Sequence, residues 1–217
     1  MKPVIIIPAY NPPKSFISLL LNVRSITSIP IIIIDDGSIP IIEVENLNTI
    51  LLRNKNNSGK GFSLVKGFKE ALDRGYSHAI TMDADSQHDP NILQYFIEIN
   101  ENISIVLGNR QFNTNMPLHR RISNKLTSSI ISYICHEQIL DSQCGYRRYK
   151  LDNVCSETYV EHGFQFESEV LIKLLGNNCT LYHIEIHTIY TQENSSINNF
   201  SDTIKFIRLI IRHLIKV

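Results

Sequence analysis

The sequence predicts an α/β domain organised around a mostly parallel sheet, and a few observations carry that prediction. Val4 to Ile7 and Ile31 to Ile34 are short, continuous β-branched runs, the pattern of strands covered on both faces. Each run closes on polar turn residues: Pro8-Ala9-Tyr10-Asn11-Pro12-Pro13 after the first, Asp35-Asp36-Gly37-Ser38 after the second. A helical stretch from Ser15 to Val23 lies between them, which makes the opening of a βαβ unit. The chain has 217 residues, enough for one α/β-sized domain rather than two small ones.

The remaining elements follow in order. Thr49 to Arg53 reads as a third strand, and Asn57-Ser58-Gly59-Lys60-Gly61 leads into a helix with Phe62, Val65, Phe68, Ala71 and Leu72 at helical spacing. His78 to Met82 is a fourth strand, followed by Asp83-Ala84-Asp85. Asp89-Pro90 caps a helix over Asn91 to Asn100, and Ile103 to Leu107 is a strand ended by Gly108-Asn109-Arg110. A loop through Pro117 precedes a helix over Ser123 to Tyr133. A turn at Asp141 to Gly145, a short strand over Tyr146 to Tyr149, a helix over Phe164 to Leu175 and an alternating strand over Leu181 to Tyr190 complete the domain. Successive strands thus release carboxylates, amides or glycines at their carboxyl ends, the edge where open α/β sheets bind ligands.

Composition narrows the classes. Hydrophobic residues are 43% and charged residues 19%, which excludes a disordered chain or a disulfide scaffold. Twenty-one Lys and Arg balance twenty-one Asp and Glu, so there is no global field for nucleic acid, and none is expected as a partner. Cys135, Cys144, Cys155 and Cys179 form no C-x-x-C pair, and the first residues lack a signal-peptide pattern, so reduced thiols in a cytoplasmic protein are expected. No apolar run approaches the roughly 18–20 residues that cross a bilayer.

Asp83-Ala84-Asp85-Ser86-Gln87-His88 is the strongest local signal. Two carboxylates at i and i+2 past a buried strand are oxygen donors suited to Mg²⁺ or Mn²⁺, the alternative being solvated turn or capping aspartates. Asp35-Asp36 in the equivalent place on another strand favours a metal together with a nucleotide. Gly59-Lys60-Gly61 lacks the rest of a phosphate loop, and Gly67 falls too late for a dinucleotide fingerprint, which leaves nucleotide contact or a flexible helix entry. Arg110, Arg120, Arg121 and Arg147 carry guanidinium groups able to hold a phosphate bidentately, though each singly also suits a surface ion pair. Glu167 is a candidate base for a hydroxyl acceptor or else a helix-surface charge. His183, Glu185 and His187 share one strand face, which reads as solvated rather than metal-binding.

These pieces, read as an ordered set, resemble a family-2 glycosyltransferase of the GT-A fold, close to the polyprenyl- and dolichyl-phosphate sugar synthases. The matching segments are Ile6-Ile7-Pro8-Ala9-Tyr10-Asn11, Asp35-Asp36-Gly37-Ser38, Asn57-Ser58-Gly59-Lys60-Gly61, Asp83 to His88, Gly108-Asn109-Arg110, Asp141-Ser142-Gln143-Cys144-Gly145-Tyr146-Arg147 and Phe164-Gln165-Phe166-Glu167. The resemblance implies a single α/β domain over residues 1–201, with a central mostly parallel mixed sheet flanked by helices. A Rossmann-like nucleotide-sugar half would span 1–110 and an acceptor half 111–201. It implies that Pro8, Tyr10, Asn11 and Asp35 hold the nucleotide, with Lys60, Asp83 and Arg110 also on the nucleotide-sugar. Asp85 and Gln87 would hold Mg²⁺ or Mn²⁺. Arg120, Arg121, Asp141 and Arg147 would serve the acceptor side, and Asp85, Arg147 and Glu167 the chemistry. Relatives often place a Ser-His-Phe element, whose His can complete the metal shell, where this chain has Ser195-Ser196-Ile197-Asn198, which leaves water or Gln87 to take that place.

The implied reaction is an inverting, metal-dependent transfer of a hexose from a UDP- or GDP-sugar to a polyprenyl phosphate or a glycan hydroxyl. The alternatives are a non-catalytic sugar-nucleotide-binding or scaffold subunit and a sugar-phosphate nucleotidyltransferase, whose glycine- and arginine-rich amino-terminal loop is absent. Over residues 202–217, Lys205, Arg208, Arg212 and Lys216 form a stripe at about 100° per residue on an otherwise apolar helix. That pattern fits a helix at the inner face of the cytoplasmic membrane, or a terminal helix packed on the core. The central expectation is that Asp35, Asp85 and Arg147 gather around one cation-bridged pyrophosphate.

Overall fold

The computed structural model describes residues 1–44, 47–110, 118–187 and 199–215, without the side chains of residues 119, 120, 199 and 200. Its centre is a seven-stranded sheet of order β3-β2-β1-β4-β6-β5-β7. The strands are β1 Pro3–Ala9, β2 Ile31–Asp35, β3 Thr49–Arg53, β4 His78–Thr81, β5 Ile105–Arg110, β6 Arg147–Lys150 and β7 Leu181–Ile186. Strands β3, β2, β1 and β4 are parallel, β6 runs antiparallel between β4 and β5, and β7 is parallel to β5. The mixed, mostly parallel sheet is the expected architecture.

The continuous isoleucine runs explain the middle of the sheet. Val4 to Ile7 and Ile31 to Ile34 are buried, because helices cover both faces and leave no polar side to alternate with. Helix α1 (Phe16–Ile26) contributes Phe16, Leu19, Leu20 and Val23 to the core, and α2 (Lys60–Asp73) contributes Leu64, Phe68 and Ala71. Gly67, too late for a dinucleotide loop, has a packing role: a Cβ there would lie 2.7 Å from Ile6 Cγ2, so its absence lets α2 settle onto β1. Each fully buried isoleucine contributes about 1.5–3 kcal/mol over an exposed one.

Helix α3 (Leu93–Glu98) follows a 3₁₀ turn, Pro90–Ile92, whose cap is Asp89: its carboxylate accepts the Asn91 N–H at 2.9 Å. Helix α4 (Leu118–Cys135) begins five residues before the expected Ser123. The short α5 (Leu151–Cys155), which the sequence reading did not separate from its surroundings, turns the chain out of β6. Helix α6 (Phe166–Gly176) is buried along most of its length and packs against α4. The terminal helix α7 (Asn199–Ile215) starts three residues before the expected boundary and seats Phe206 and Leu209 in the core.

Since β6 lies between β4 and β5, the two expected halves share one sheet. The ends of β1, β2, β3, β4 and β5, with the start of β6, therefore deliver their turn residues to a common edge.

Candidate active site

The turn after β2 is built by its own carboxylates. Asp35 is in register with Arg53 on β3, and the two form an ion pair. The second Asp35 oxygen accepts the Ser38 N–H at 2.8 Å, and Arg53 Nη2 donates to the Ser38 carbonyl at 2.9 Å. Asp36 accepts from Asn54 Nδ2 at 2.7 Å, Ser58 N–H at 3.0 Å and Gly59 N–H at 2.8 Å. Ser38 Oγ in turn accepts the Asn11 N–H at 2.8 Å, and Asn11 Oδ1 accepts the Ile39 N–H at 2.8 Å, which ties the β1 and β2 turns together. Asp35, expected to hold the nucleotide, has a side chain that is 0% exposed and bonded to Arg53 and Ser38. A carboxylate buried at a strand end has to be paired, and the neighbouring strand supplies the cation. Pro8 sits within β1 opposite Ile34, and Tyr10, 50% exposed, stands at the open edge.

Beyond β4 the pattern changes. Lys60 Nζ lies 2.6 Å from Asp83 Oδ1 and 3.0 Å from Glu167 Oε1, so one ammonium joins the first residue of α2, the turn after β4 and the start of α6. His88 Nε2 is 3.4 Å from the other Asp83 oxygen, and the His88 ring lies against Tyr146 with centroids 5.1 Å apart. Burial lowers the Lys60 pKa, but Asp83 and Glu167 together raise it well above its ordinary value. Burial works against the Asp83 carboxylate, yet Lys60, with His88, holds its pKa far below the usual range. Asp85 differs. Burial, and then the neighbouring Asp83 charge, push its pKa up. It accepts the Gln87 N–H at 3.0 Å and has no ion pair among the described residues. Gly145 permits the approach of the β6 turn, since a Cβ there would fall 2.5 Å from Asp83 Oδ2.

The Gly61 and Phe62 amides in the first turn of α2 are not open to a phosphate. The His162 carbonyl accepts from Gly61 N–H at 2.7 Å and Phe62 N–H at 3.3 Å, which closes the phosphate-loop reading and leaves the Lys60 side chain as the group this segment presents.

The arginines divide. Arg110 Nε and Nη2 donate to Asp141 at 2.6 and 3.0 Å, a bidentate pair whose carboxylate is fully buried. Burial lowers the Arg110 pKa and Asp141 raises it above its ordinary value, while Asp83 adds to the rise. Arg147 is 0% exposed. It donates to the carbonyls of Cys144 (2.7 Å), Ser142 (2.8 Å) and Glu167 (2.8 Å) and to the Tyr149 hydroxyl (3.2 Å). Arg147, expected to serve the chemistry and the acceptor, here uses its guanidinium to lock the 142–144 turn to α6. Arg148, on the opposite face of β6, makes the same kind of contact with the carbonyls of Phe96, Ile99 and Asn100. Asp35 and Arg147 are both buried, whereas Lys60 joins Asp83 to Glu167, and Asp85 and Arg110 lie within reach of the Asp83 charge. Arg121 is part-buried on α4, while the Arg120 side chain, Ser195 to Asn198 and Lys216 lie outside the described residues. His183 bonds to the Gln138 carbonyl at 2.9 Å, and among the described residues no group of three His, Cys, Asp or Glu is arranged to hold a metal.

The model of the family described as "Glycosyl transferase family 2" matches residues 4–156. The chain belongs to this family. The glycosyltransferase is 31% identical over 215 residues to the UDP-N-acetylglucosamine–dolichyl-phosphate N-acetylglucosaminyltransferase of Methanococcus voltae, covering 87% of this chain and 86% of the relative. It is 22% identical over 217 residues to the polyprenol monophosphomannose synthase of Mycolicibacterium smegmatis, covering 91% and 80%. Its fold matches glucosyl-3-phosphoglycerate synthase from Mycobacterium tuberculosis in complex with UDP, with a TM-score of 0.76 at 11% identity over 97% of this chain and 79% of that one. The same enzyme in complex with Mg²⁺ and UDP gives a TM-score of 0.75 at 12% identity, covering 97% and 78%.

Several residues around this candidate site were given no individual role in the sequence reading. Asp36 and Gly145 stood inside matched segments, so position alone pointed to them. His162 acts through its backbone carbonyl, and no side-chain pattern announces that.

Proposed function

We propose that the glycosyltransferase moves a hexose from a nucleotide diphosphate sugar, UDP-linked in preference to GDP-linked, onto a polyprenyl phosphate by an inverting single displacement. The observation that carries this reading is the contrast at the edge after β4, where Asp83 is neutralised by Lys60 and Asp85, two residues on, has no ion pair among the described residues. Asp85 and Gln87 offer a carboxylate and an amide oxygen, the donors that Mg²⁺ or Mn²⁺ takes. When bound, such an ion supplies neutralisation of the charge that grows on the departing nucleoside diphosphate.

The chain's own residues divide the remaining work. Tyr10, with Pro8 and Asn11, borders the place of the base, and Asp83 orients the ribose. Lys60 and Arg110 meet the diphosphate, with Asp141 fixing the Arg110 fork. Arg120 and Arg121 draw the acceptor phosphate. The phosphate oxygen attacks the anomeric carbon from the face opposite the diphosphate, the C–O bond to the diphosphate breaks, and the configuration inverts. A phosphate monoester is already ionised near neutral pH and needs no base. Glu167 is engaged by Lys60 at 3.0 Å, which favours that acceptor over a glycan hydroxyl requiring deprotonation. The relatives whose names specify dolichyl phosphate and polyprenol support the same choice.

A lipid acceptor calls for a surface at the bilayer, and no helix among the described residues is long and apolar enough to cross one. Helix α7 buries Phe206 and Leu209 but exposes Ile204, Ile207, Ile211 and Leu214 beside Lys205 and Arg208. Helix α4 contains no acidic residue and exposes Leu118, Ile122, Leu126 and Tyr133. Apolar stripes flanked by basic residues fit contact with an anionic lipid surface at the cytoplasmic face.

The test is transfer of labelled sugar from UDP- and GDP-sugars to a short-chain polyprenyl phosphate, with Mg²⁺, Mn²⁺ or EDTA. Metal-dependent product of inverted configuration is expected. Undiminished transfer in EDTA removes the metal from the reading, and transfer to a glycan hydroxyl but not to the lipid phosphate overturns the acceptor. Flotation with anionic vesicles should fall when Ile207→Glu and Ile211→Glu are combined; equal flotation removes the membrane contact.

A further inference from the structure

Lys60 is held by its side-chain partners and also by the backbone that decides where α2 begins, and that backbone is fixed from α6. Glu169 is buried, and two residues beyond Glu167 on α6 it falls on the other side of that helix. Its oxygens accept the Val160 N–H at 3.0 and 3.1 Å and the Glu161 N–H at 2.8 Å, with Lys173 Nζ at 3.4 Å. The next residue, His162, turns its carbonyl onto the Gly61 and Phe62 amides, and its ring meets Phe62 edge-on at 5.7 Å. The contact is close enough that side chains are excluded: a Cβ on Gly59 would lie 2.3 Å from the His162 carbonyl oxygen, and one on Gly61 would lie 2.7 Å from that of Glu161. The same segment is tied outward to α7, through Arg212 to Glu161 at 2.9 Å and through Gln165 to the Asp202 carbonyl at 3.1 Å.

We propose that Glu169 is a positioning residue for the reaction: by pinning the 160–162 backbone, which caps α2 in turn, it holds Lys60 between Asp83 and Glu167. A buried carboxylate is costly, and here its bonds are spent on amides of a segment with no regular structure, whose carbonyl then sets the first turn of the helix that carries Lys60. The bond from Arg212 to Glu161 makes α7 a second, outer brace of the same segment. The proposal rests on the placement of Lys60 in the site.

Glu169→Gln removes the charge and turns an amide N–H toward backbone N–H groups. In that variant kcat/KM is expected to fall at least tenfold while the far-ultraviolet circular dichroism is kept. Labelling of Lys60 by acetic anhydride, read by peptide mass spectrometry, should rise several-fold. Added to Lys60→Met, the same change should cost less than twofold, because its effect passes through the lysine. Full additivity of the two losses, or unchanged Lys60 labelling, overturns the proposal. Arg212→Gln, at a partly exposed position, gives a second reading if Glu169→Gln does not fold: a smaller rise in Lys60 labelling is expected, and no rise overturns the proposal. A fully active Lys60→Met enzyme would instead remove Lys60 from the site, an outcome the labelling experiment does not depend on.

Discussion

The turn after β2 and the turn after β4 look alike in the sequence, each an apolar strand released into two aspartates and a serine, and the fold puts them to opposite uses. At Asp35 and Asp36 every carboxylate oxygen meets an amide, an asparagine or Arg53, so the negative charge is consumed in building the turn. At Asp83 and Asp85 one lysine answers the first carboxylate, and among the described residues no ion pair answers the second. The lesson is that spacing marks where charge collects, while the cations brought by other elements decide whether it is spent on architecture or left for a ligand.

Mutations can break that comparison. Asp85→Ala should lower kcat at least ~100-fold with an unchanged melting midpoint, measured by sugar transfer and thermal denaturation; an active variant would dissolve the distinction. Arg147→Leu should destabilise the domain by roughly 3 kcal/mol in urea titration, because it strands buried carbonyls. Its folded fraction should bind UDP as the unaltered protein does. Asp36→Asn should cost about 2 kcal/mol, since the new amide cannot accept all three of its present donors, and any activity loss should track the unfolded fraction.

The smallest effect concerns pH. Burial raises the Asp141 carboxyl, and Arg110, with the Gln143 amide, brings it below its ordinary value. The contribution of the pair is therefore complete above about pH 4 and lost as pH falls toward the folded-state value. In Asp141→Asn the dependence of stability on pH between about 5 and 2 should be shallower, as read from urea midpoints across that range. An equally steep profile would show that the Arg110 pair is not what acid disrupts.

Much of the fold was legible because its signals are local. The isoleucine runs, the Asp89-Pro90 cap and the turn segments placed five of the strands near their observed bounds. Helix α5 was missed because five residues are too few to show a period. Of the residues singled out in the sequence, Lys60, Asp83 and Glu167 are joined by ion pairs at one edge of the sheet. The surroundings of Arg147 were not legible, because a guanidinium that binds phosphate and one that binds carbonyls are the same residue in a sequence.

By itself the sequence determined the order of the elements, the parallel character of the first four strands and the family, since each is written in contiguous residues whose turn chemistry and apolar periods act over short range. The tertiary structure alone decided which charges meet: that Arg53 closes on Asp35, that Lys60 joins Asp83 to Glu167, that Glu169 reaches the 160–161 amides. Pairing of charges depends on distance in space and on exclusion of water, and both are properties of the packed chain.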